Sequence, residues 1–272
     1  MFSKLTKLPA DPILGLSVKF KADTNPNKID LGAGIYKDEN GHTPVLSCVK
    51  AAEKFRLENE STKAYLSSAG SVQFNEKMTS LILGDHKVIS EDRVRTISTP
   101  GGTGALRTAG EFIKACTPGT TIWVSNPTWE NHHAIFAGAG FEVGTYPYFN
   151  PETKMLDFDG MVSMLKELPE QSIVLLHPCC HNPTGVDLTN EQWDKVIEVV
   201  KAQKLIPFFD MAYQGYGEGI AEDAYVIRQI SLEKDVVSFI SNSFSKTFSL
   251  YGERVGGLSV VCGNDEEASR VL

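Results

Sequence analysis

From about residue 94 the chain alternates between short apolar runs and longer amphipathic stretches, and this constrains its fold more than any other feature. The runs Val94–Ser98, Thr121–Ser125, Ser172–Leu176, Leu205–Asp210, Val236–Ser241 and Gly257–Val261 read as strands. The stretches at about 103–115, 129–138, 159–167, 190–203 and 223–232 carry apolar residues at helical spacing. Strands that alternate with helices over such distances join as parallel βαβ units. The expected fold is therefore α/β, a mostly parallel sheet with helices on both faces. An irregular segment at 1–44, a helix near 45–60 and another near 72–83 precede it, with no internal repeat and no flexible linker.

Composition removes several classes of function. With 42% hydrophobic residues the chain can bury a core, so intrinsic disorder is disfavoured. A net charge of −8 and the lack of a basic stripe argue against nucleic acid and anionic membranes as partners. No apolar run is long enough to span a bilayer. The N-terminal residues lack both a signal-peptide core and the arginines of a mitochondrial leader, the first arginine being Arg56. Five cysteines, an odd number with two adjacent and no C-x-x-C, fit a reduced cytoplasmic protein better than a disulfide framework or a zinc site.

In open α/β sheets, ligands sit beyond the carboxyl ends of the strands. Following each strand locates the chemistry. After Val94–Ser98 comes Thr99-Pro100-Gly101-Gly102-Thr103-Gly104-Ala105-Leu106-Arg107, a glycine-rich turn into a helix. Such a turn offers backbone N–H groups to a phosphate, although alone it is equally a tight connection. It fits neither the dinucleotide fingerprint nor the P-loop. After Thr121–Ser125 comes Asn126-Pro127-Thr128-Trp129, whose indole can stack on a flat ring or fill a core, followed by His132. After Ser172–Leu176 comes His177-Pro178-Cys179-Cys180-His181-Asn182-Pro183-Thr184-Gly185. Adjacent cysteines face one tetrahedral ion poorly, so no metal is expected there, and Asn182 is a donor candidate. Leu205–Phe209 ends in Asp210, a carboxylate expensive to bury unpaired, with Tyr213 three residues on. Ser241-Asn242-Ser243-Phe244-Ser245-Lys246-Thr247 follows the next strand, with Arg254 close behind. A lysine among hydroxyls can supply an amine nucleophile if burial lowers its pKa, and the hydroxyls and Arg254 can hold a phosphate.

Together these groups meet the needs of pyridoxal phosphate: an amine for its aldehyde, a carboxylate for its ring nitrogen, donors for its phenolic oxygen, a stacking ring and a phosphate cradle. The ordered segments ADPILGL (10–16), LGAGIYKDENGHTPVL (31–46), GGTGALR (101–107), SNPTWENH (125–132), HPCCHNPTG (177–185), FDMAYQGY (209–216) and SNSFSKTFSLYGERVG (241–256) span the chain. They resemble the aspartate and aromatic aminotransferases of the fold-type I pyridoxal-phosphate enzymes. The resemblance implies a seven-stranded, mostly parallel sheet in a cofactor-binding large domain at 45–272. It also implies that 1–44 belongs to a small domain and dimer arm. Lys246 would be the Schiff-base lysine and proton shuttle. Asp210 would hold the pyridinium nitrogen, with His132 supporting it from behind. Asn182 and Tyr213 would bond the phenolic oxygen, and Trp129 would stack on the ring. Gly102, Thr103, Ser243, Ser245 and Arg254 would cradle the phosphate. Tyr65 would reach the phosphate of a neighbouring subunit, which implies a homodimer with shared active sites. Gly34, Trp129 and Asn182 would lie near the substrate.

Two departures qualify the resemblance. Phe244 stands where the family has a tyrosine between the two serines. The chain stops at Leu272, in what reads as the start of a helix, whereas the family runs to about 400 residues. Its two arginines for substrate carboxylates lie beyond that point, so a chain cut inside a larger protein, with most of the small domain missing, is expected. The expected reaction is transamination of L-aspartate with 2-oxoglutarate to oxaloacetate and L-glutamate. The alternatives are an aromatic-amino-acid preference or an inactive, truncated cofactor binder. A short-chain dehydrogenase is excluded because none of the eight tyrosines has a lysine four residues later.

Overall fold

The computed structural model describes residues 12–30, 32 and 34–272; Ala10, Asp11, Leu31 and Ala33 of the segments quoted above lie outside the described residues. The chain divides into two compact units, Met1–Val45 and Leu46–Leu272. Among the described residues the first carries one helix, α1 (Pro12–Ala22), in a segment expected to be irregular. Proline is tolerated at a helix's first position, and Lys19 and Lys21 fall in its last turn, where cations suit the dipole.

The second unit begins with α2 (Ser47–Asn59), α3 (Val72–Leu83) and the short α4 (Lys87–Ser90). The alternating region follows as β1 (Val94–Pro100), α5 (Gly101–Cys116), β2 (Thr121–Asn126), α6 (Asn131–Gly138) and β3 (Glu142–Pro147). A small hairpin of β4 (Phe149–Asn150) and β5 (Met155–Leu156) leads to α7 (Phe158–Glu167), β6 (Ile173–Leu176) and α8 (Asn190–Ala202). The chain then forms β7 (Ile206–Met211), α9 (Tyr225–Ile230), β8 (Ser238–Ser243), β9 (Val255–Val261) and α10 (Asp265–Ser269).

Seven strands form one sheet in the order β1-β9-β8-β7-β6-β2-β3. β9 is antiparallel to both of its neighbours, and the remaining pairs are parallel. Six strands therefore point the same way and bring their carboxyl ends to one edge. Both faces of the sheet are covered, as the alternation predicts. On one face Leu106, Ala109 and Ile113 of α5 and Phe136 of α6 pack with Ile122, Val124 and Phe208. On the other, Met78 and Ile82 of α3, Met161 and Leu165 of α7, Trp193 of α8 and Ile227 of α9 pack with Val174, Phe209 and Ile240. Burying sheet and helix surface at about 25 cal/mol per Å² of apolar area is the main stabilising term.

The sequence pattern places six of the seven strands and misplaces some boundaries. β3 is missed because it is an edge strand in which only Tyr146 is buried, so no clear apolar run or alternation marks it. Gly144 in it lies against Trp123, where a Cβ would meet the indole at 2.5 Å. β8 runs two residues further than the apolar run, through Ser241, Asn242 and Ser243, all buried. Polar residues continue this strand because its carboxyl end lines the site. Among the described residues, no helix is long and apolar enough to cross a membrane.

Candidate active site

The carboxyl ends of β2, β6, β7 and β8 and the start of α5 surround a cleft of about 630 Å³, part of it open to solvent. Gly102, Thr103, Trp129, Asn182, Asp210, Tyr213, Ser243, Ser245, Lys246 and Arg254 all line it. These residues are far apart in sequence, and the parallel sheet converges them. His132 stands one layer behind, fully buried. Tyr65 lies outside the lining and is fully exposed. Gly34 belongs to the N-terminal unit.

At the β1–α5 end the geometry suits an anion. Gly101 adopts φ +73°, a left-handed conformation that favours glycine, so the chain turns directly from strand into helix. The first N–H groups of a 16-residue helix lack intrahelical partners, and Gly102 and Thr103 in that first turn line the cleft. At Gly102 a Cβ would press on Ser243 Cβ at 3.1 Å, so a bare backbone is needed for the helix to approach β8. The Arg254 guanidinium donates to the Ser245 hydroxyl (3.4 Å) and to the Tyr251 carbonyl (3.1 Å), bringing a cation to the same end.

Opposite lies a carboxylate. Asp210, near the end of β7, is buried. Burial alone would raise its pKa, but the hydrogen bond from His132 and the nearby imidazoles outweigh burial and hold it below the ordinary carboxylate range. His132 Nε2 lies 3.0 Å from Asp210 Oδ2, and Nδ1 lies 2.8 Å from Thr128 Oγ1. An ionised carboxylate only accepts, so Nε2 carries the proton and Nδ1 accepts from the threonine hydroxyl. The Trp129 ring meets His132 edge-on at 5.2 Å.

Lys246 follows β8 and is partly buried. Burial lowers its pKa, Asp210 opposes this and Arg254 adds to it. Its ammonium sits 4.9 Å from the centre of the Tyr213 ring. Burial raises the Tyr213 pKa, helped by the Asp210 charge. The cleft thus has a carboxylate at one end, an anion cradle at the other and an amine of lowered basicity between them.

Sequence reasoning left three contributors unassigned. His177, directly after β6, lines the cleft with a buried Nε2 that has no hydrogen-bond partner. Together with His132 and Asp210 it forms a buried group whose ligand atoms lie within 4.8 Å of one another. Thr128 fixes the His132 tautomer, and the Ser241 hydroxyl, on the strand beside Asp210, donates to the Gly102 carbonyl. Their common signal is a polar side chain within a few residues of a strand's carboxyl end.

The imidazoles give the fold a pH dependence. Burial pushes His177 down to about 4 and, with His177 and His132 nearby, His181 down to about 3. In the unfolded chain both titrate near 6.5. Below that pH the unfolded state binds more protons, so stability falls as the solution is acidified. For His177 the loss levels off near pH 4 and approaches about 3 kcal/mol, a large share of a typical domain's stability. Urea denaturation at about pH 7.5 and about pH 4.5 should show this loss, with a smaller loss in His177→Asn. Equal stability at the two pH values would show that the imidazoles are not held neutral.

Comparison with known proteins places this geometry in a family. Residues 26–271 match the model for aminotransferase class I and II. The chain is 51% identical to the aromatic-amino-acid aminotransferase of Escherichia coli (strain K12), an alignment covering 100% of this chain and 69% of that protein. It is 46% identical to the aspartate aminotransferase of the same organism, again over 100% of this chain and 69% of the relative. The crystal structure of an aromatic-amino-acid aminotransferase from Burkholderia pseudomallei, covalently bound to pyridoxal phosphate, superposes with a TM-score of 0.97 at 47% identity. That match covers 100% of this chain and 68% of that one. A buried Asp–His pair, a lysine of lowered basicity and a glycine-backed anion cradle thus stand on the scaffold of these enzymes, and the chain belongs to the class I and II aminotransferase family.

Proposed function

We propose that the cleft binds pyridoxal phosphate and transfers the amino group of L-aspartate to 2-oxoglutarate, giving oxaloacetate and L-glutamate. The observation that carries this reading is the pairing of ionised Asp210 with Lys246 of lowered basicity in one cleft. The donor set fits the cofactor. Hydroxyls, Arg254 and the α5 N-terminus suit a phosphate, and a buried carboxylate suits a protonated ring nitrogen. The unpartnered His177 Nε2 marks a polar wall that a ligand can complete. When bound, the cofactor supplies an electron sink that stabilises negative charge at the substrate's α-carbon.

The chain's own residues do the rest. Lys246 provides the amine for attachment and, once free, moves the proton at the substrate's α-carbon. Asp210, kept ionised by His132, holds the ring nitrogen's proton. Asn182 and Tyr213 donate to the phenolic oxygen, and Trp129 covers one face of the ring. Trp129 and Asn182 contribute to the substrate site. A homodimer with shared active sites fits the exposed flank of the large unit. Helix α2 buries none of its residues, Leu57 is 85% exposed, and Tyr65 stands clear of the fold, able to reach a neighbouring subunit. The odd cysteine count with two adjacent supports the cytoplasm as the compartment.

An aromatic preference is the second reading, favoured by the higher identity to the aromatic-amino-acid enzyme of Escherichia coli than to its aspartate enzyme. The test is kcat/KM for L-aspartate, L-tyrosine and L-phenylalanine with 2-oxoglutarate as acceptor. The proposal expects aspartate to exceed both. A roughly tenfold advantage for either aromatic substrate would move the assignment to the second reading. Lack of turnover with all three would leave a cofactor binder without transfer activity.

A further inference from the structure

We propose that Asp187 is the positioning residue for Asn182, and that through it Asp187 sets the charge state of the bound cofactor. The proposal rests on the reading that Asn182 donates to the cofactor's phenolic oxygen.

Asn182 lies on an irregular loop between β6 and α8, where no strand or helix fixes its direction. Two residues of this loop have left-handed backbones, Cys180 at φ +49° and Gly185 at φ +65°. Glycine adopts that region freely, but a cysteine resists it, so something must hold the backbone at Cys180. Asp187 does so. Its Oδ2 accepts the N–H of Cys180 at 2.6 Å, and its Oδ1 accepts the N–H of His181 at 2.8 Å. A carboxylate gripping two successive N–H groups fixes the orientation of the two peptide units that lead into His181, next to Asn182. The loop closes on itself through Gly185 N–H to the His181 carbonyl at 2.7 Å.

His181 ties this loop to the rest of the cleft. Its Nε2 lies 2.9 Å from the Ser125 hydroxyl at the end of β2, and its Nδ1 lies 2.8 Å from the Thr184 hydroxyl. The ring stacks on Tyr148 with centres 3.8 Å apart, and the Tyr148 hydroxyl donates to the Val186 carbonyl. This side of the loop is therefore anchored in the core, and Asp187 determines how the Cys180–His181 backbone turns on that anchor. A displacement of about an ångström at Asn182 is enough to lose a short, directed hydrogen bond.

The consequence can be read in the spectrum. A donor on the phenolic oxygen withdraws charge from it and weakens its hold on the proton of the nitrogen that joins Lys246 to the cofactor. Losing the donor therefore raises the pH midpoint of the cofactor's visible absorbance. In cofactor-loaded protein, Asn182→Ala should raise that midpoint by about one unit. Asp187→Ala should raise it by at least half as much and weaken cofactor binding several-fold. Asp187→Asn, which keeps one acceptor oxygen and the side-chain volume, should fall between Asp187→Ala and the parent. The double variant Asp187→Ala, Asn182→Ala should move no further than Asn182→Ala alone, because the two act through one contact. A midpoint moved by Asn182→Ala but not by Asp187→Ala would overturn the proposal, even if Asp187→Ala lowered the thermal midpoint, since Asp187 would then only stabilise the turn. Additive shifts in the double variant would overturn it as well. If Asn182→Ala left the midpoint unmoved, the assignment of Asn182 itself would fail, and the proposal with it.

Discussion

Replacing Lys246 with alanine should abolish cofactor attachment and lower amino transfer by roughly 10⁴-fold, the upper range for losing a proton-transfer group. Lys246 has two tasks in the proposed reaction, and alanine performs neither. An ordinary lysine is almost wholly protonated at neutral pH and a poor nucleophile. Here burial among Ser243, Ser245 and Tyr213 lowers its basicity, while Asp210 limits how far. Lys246→Arg offers a sharper control. It keeps a cation in the cleft but has no amine to attach and no proton to release, since guanidinium does not titrate in this range. Both variants should therefore be inactive. Transfer at more than about 1% of the parent rate in Lys246→Arg would mean that charge rather than nucleophilicity matters at this position.

Asp210→Ala should cost roughly 10³-fold in kcat/KM, while Asp210→Glu should retain much more activity. The carboxylate stays ionised in a buried site because His132 donates to it and Thr128 in turn donates to His132. Such a preorganised charge keeps a ring nitrogen protonated without reorganising during the reaction. Removing it leaves His132 buried without its partner, so Asp210→Ala should also destabilise the fold by about 1–3 kcal/mol. Measuring kcat/KM and urea stability on the same preparation separates the two effects. His132→Asn should lose less activity than Asp210→Ala, because it removes the support and leaves the charge. A normal rate in folded Asp210→Ala would remove this carboxylate from the reaction.

The sequence makes the alternation legible because a two-faced sheet demands buried runs and amphipathic helices at regular intervals. Edge strand β3 escapes this logic, since only part of it is buried and its Gly144 is required for close approach to Trp123. The end of β8 escapes it for another reason. Ser241, Asn242 and Ser243 are buried without being apolar, and Ser243 lines the ligand site. Helix α1 is short and opens on a proline, so no helical stripe announces it. Most residues lining the cleft are legible because they stand at or just beyond a strand's carboxyl end, and the sheet brings those ends together. His177 and Asp187 are not. A histidine beside a cysteine pair reads as a poor metal ligand until its unpartnered nitrogen is seen in the cleft. An aspartate in a Thr-Gly-Val-Asp loop reads as ordinary turn chemistry until its two backbone bonds are traced.

The most direct test of the account is to load the protein with pyridoxal phosphate, reduce it with borohydride and map the tagged peptide by mass spectrometry, with and without prior addition of L-aspartate. The account predicts a pyridoxyl tag on Lys246 alone, and a much lower yield after aspartate, because the cofactor then carries the amino group and is no longer joined to the lysine. A tag on another lysine, or a Lys246 tag whose yield is unchanged by aspartate and by aromatic amino acids alike, would contradict it.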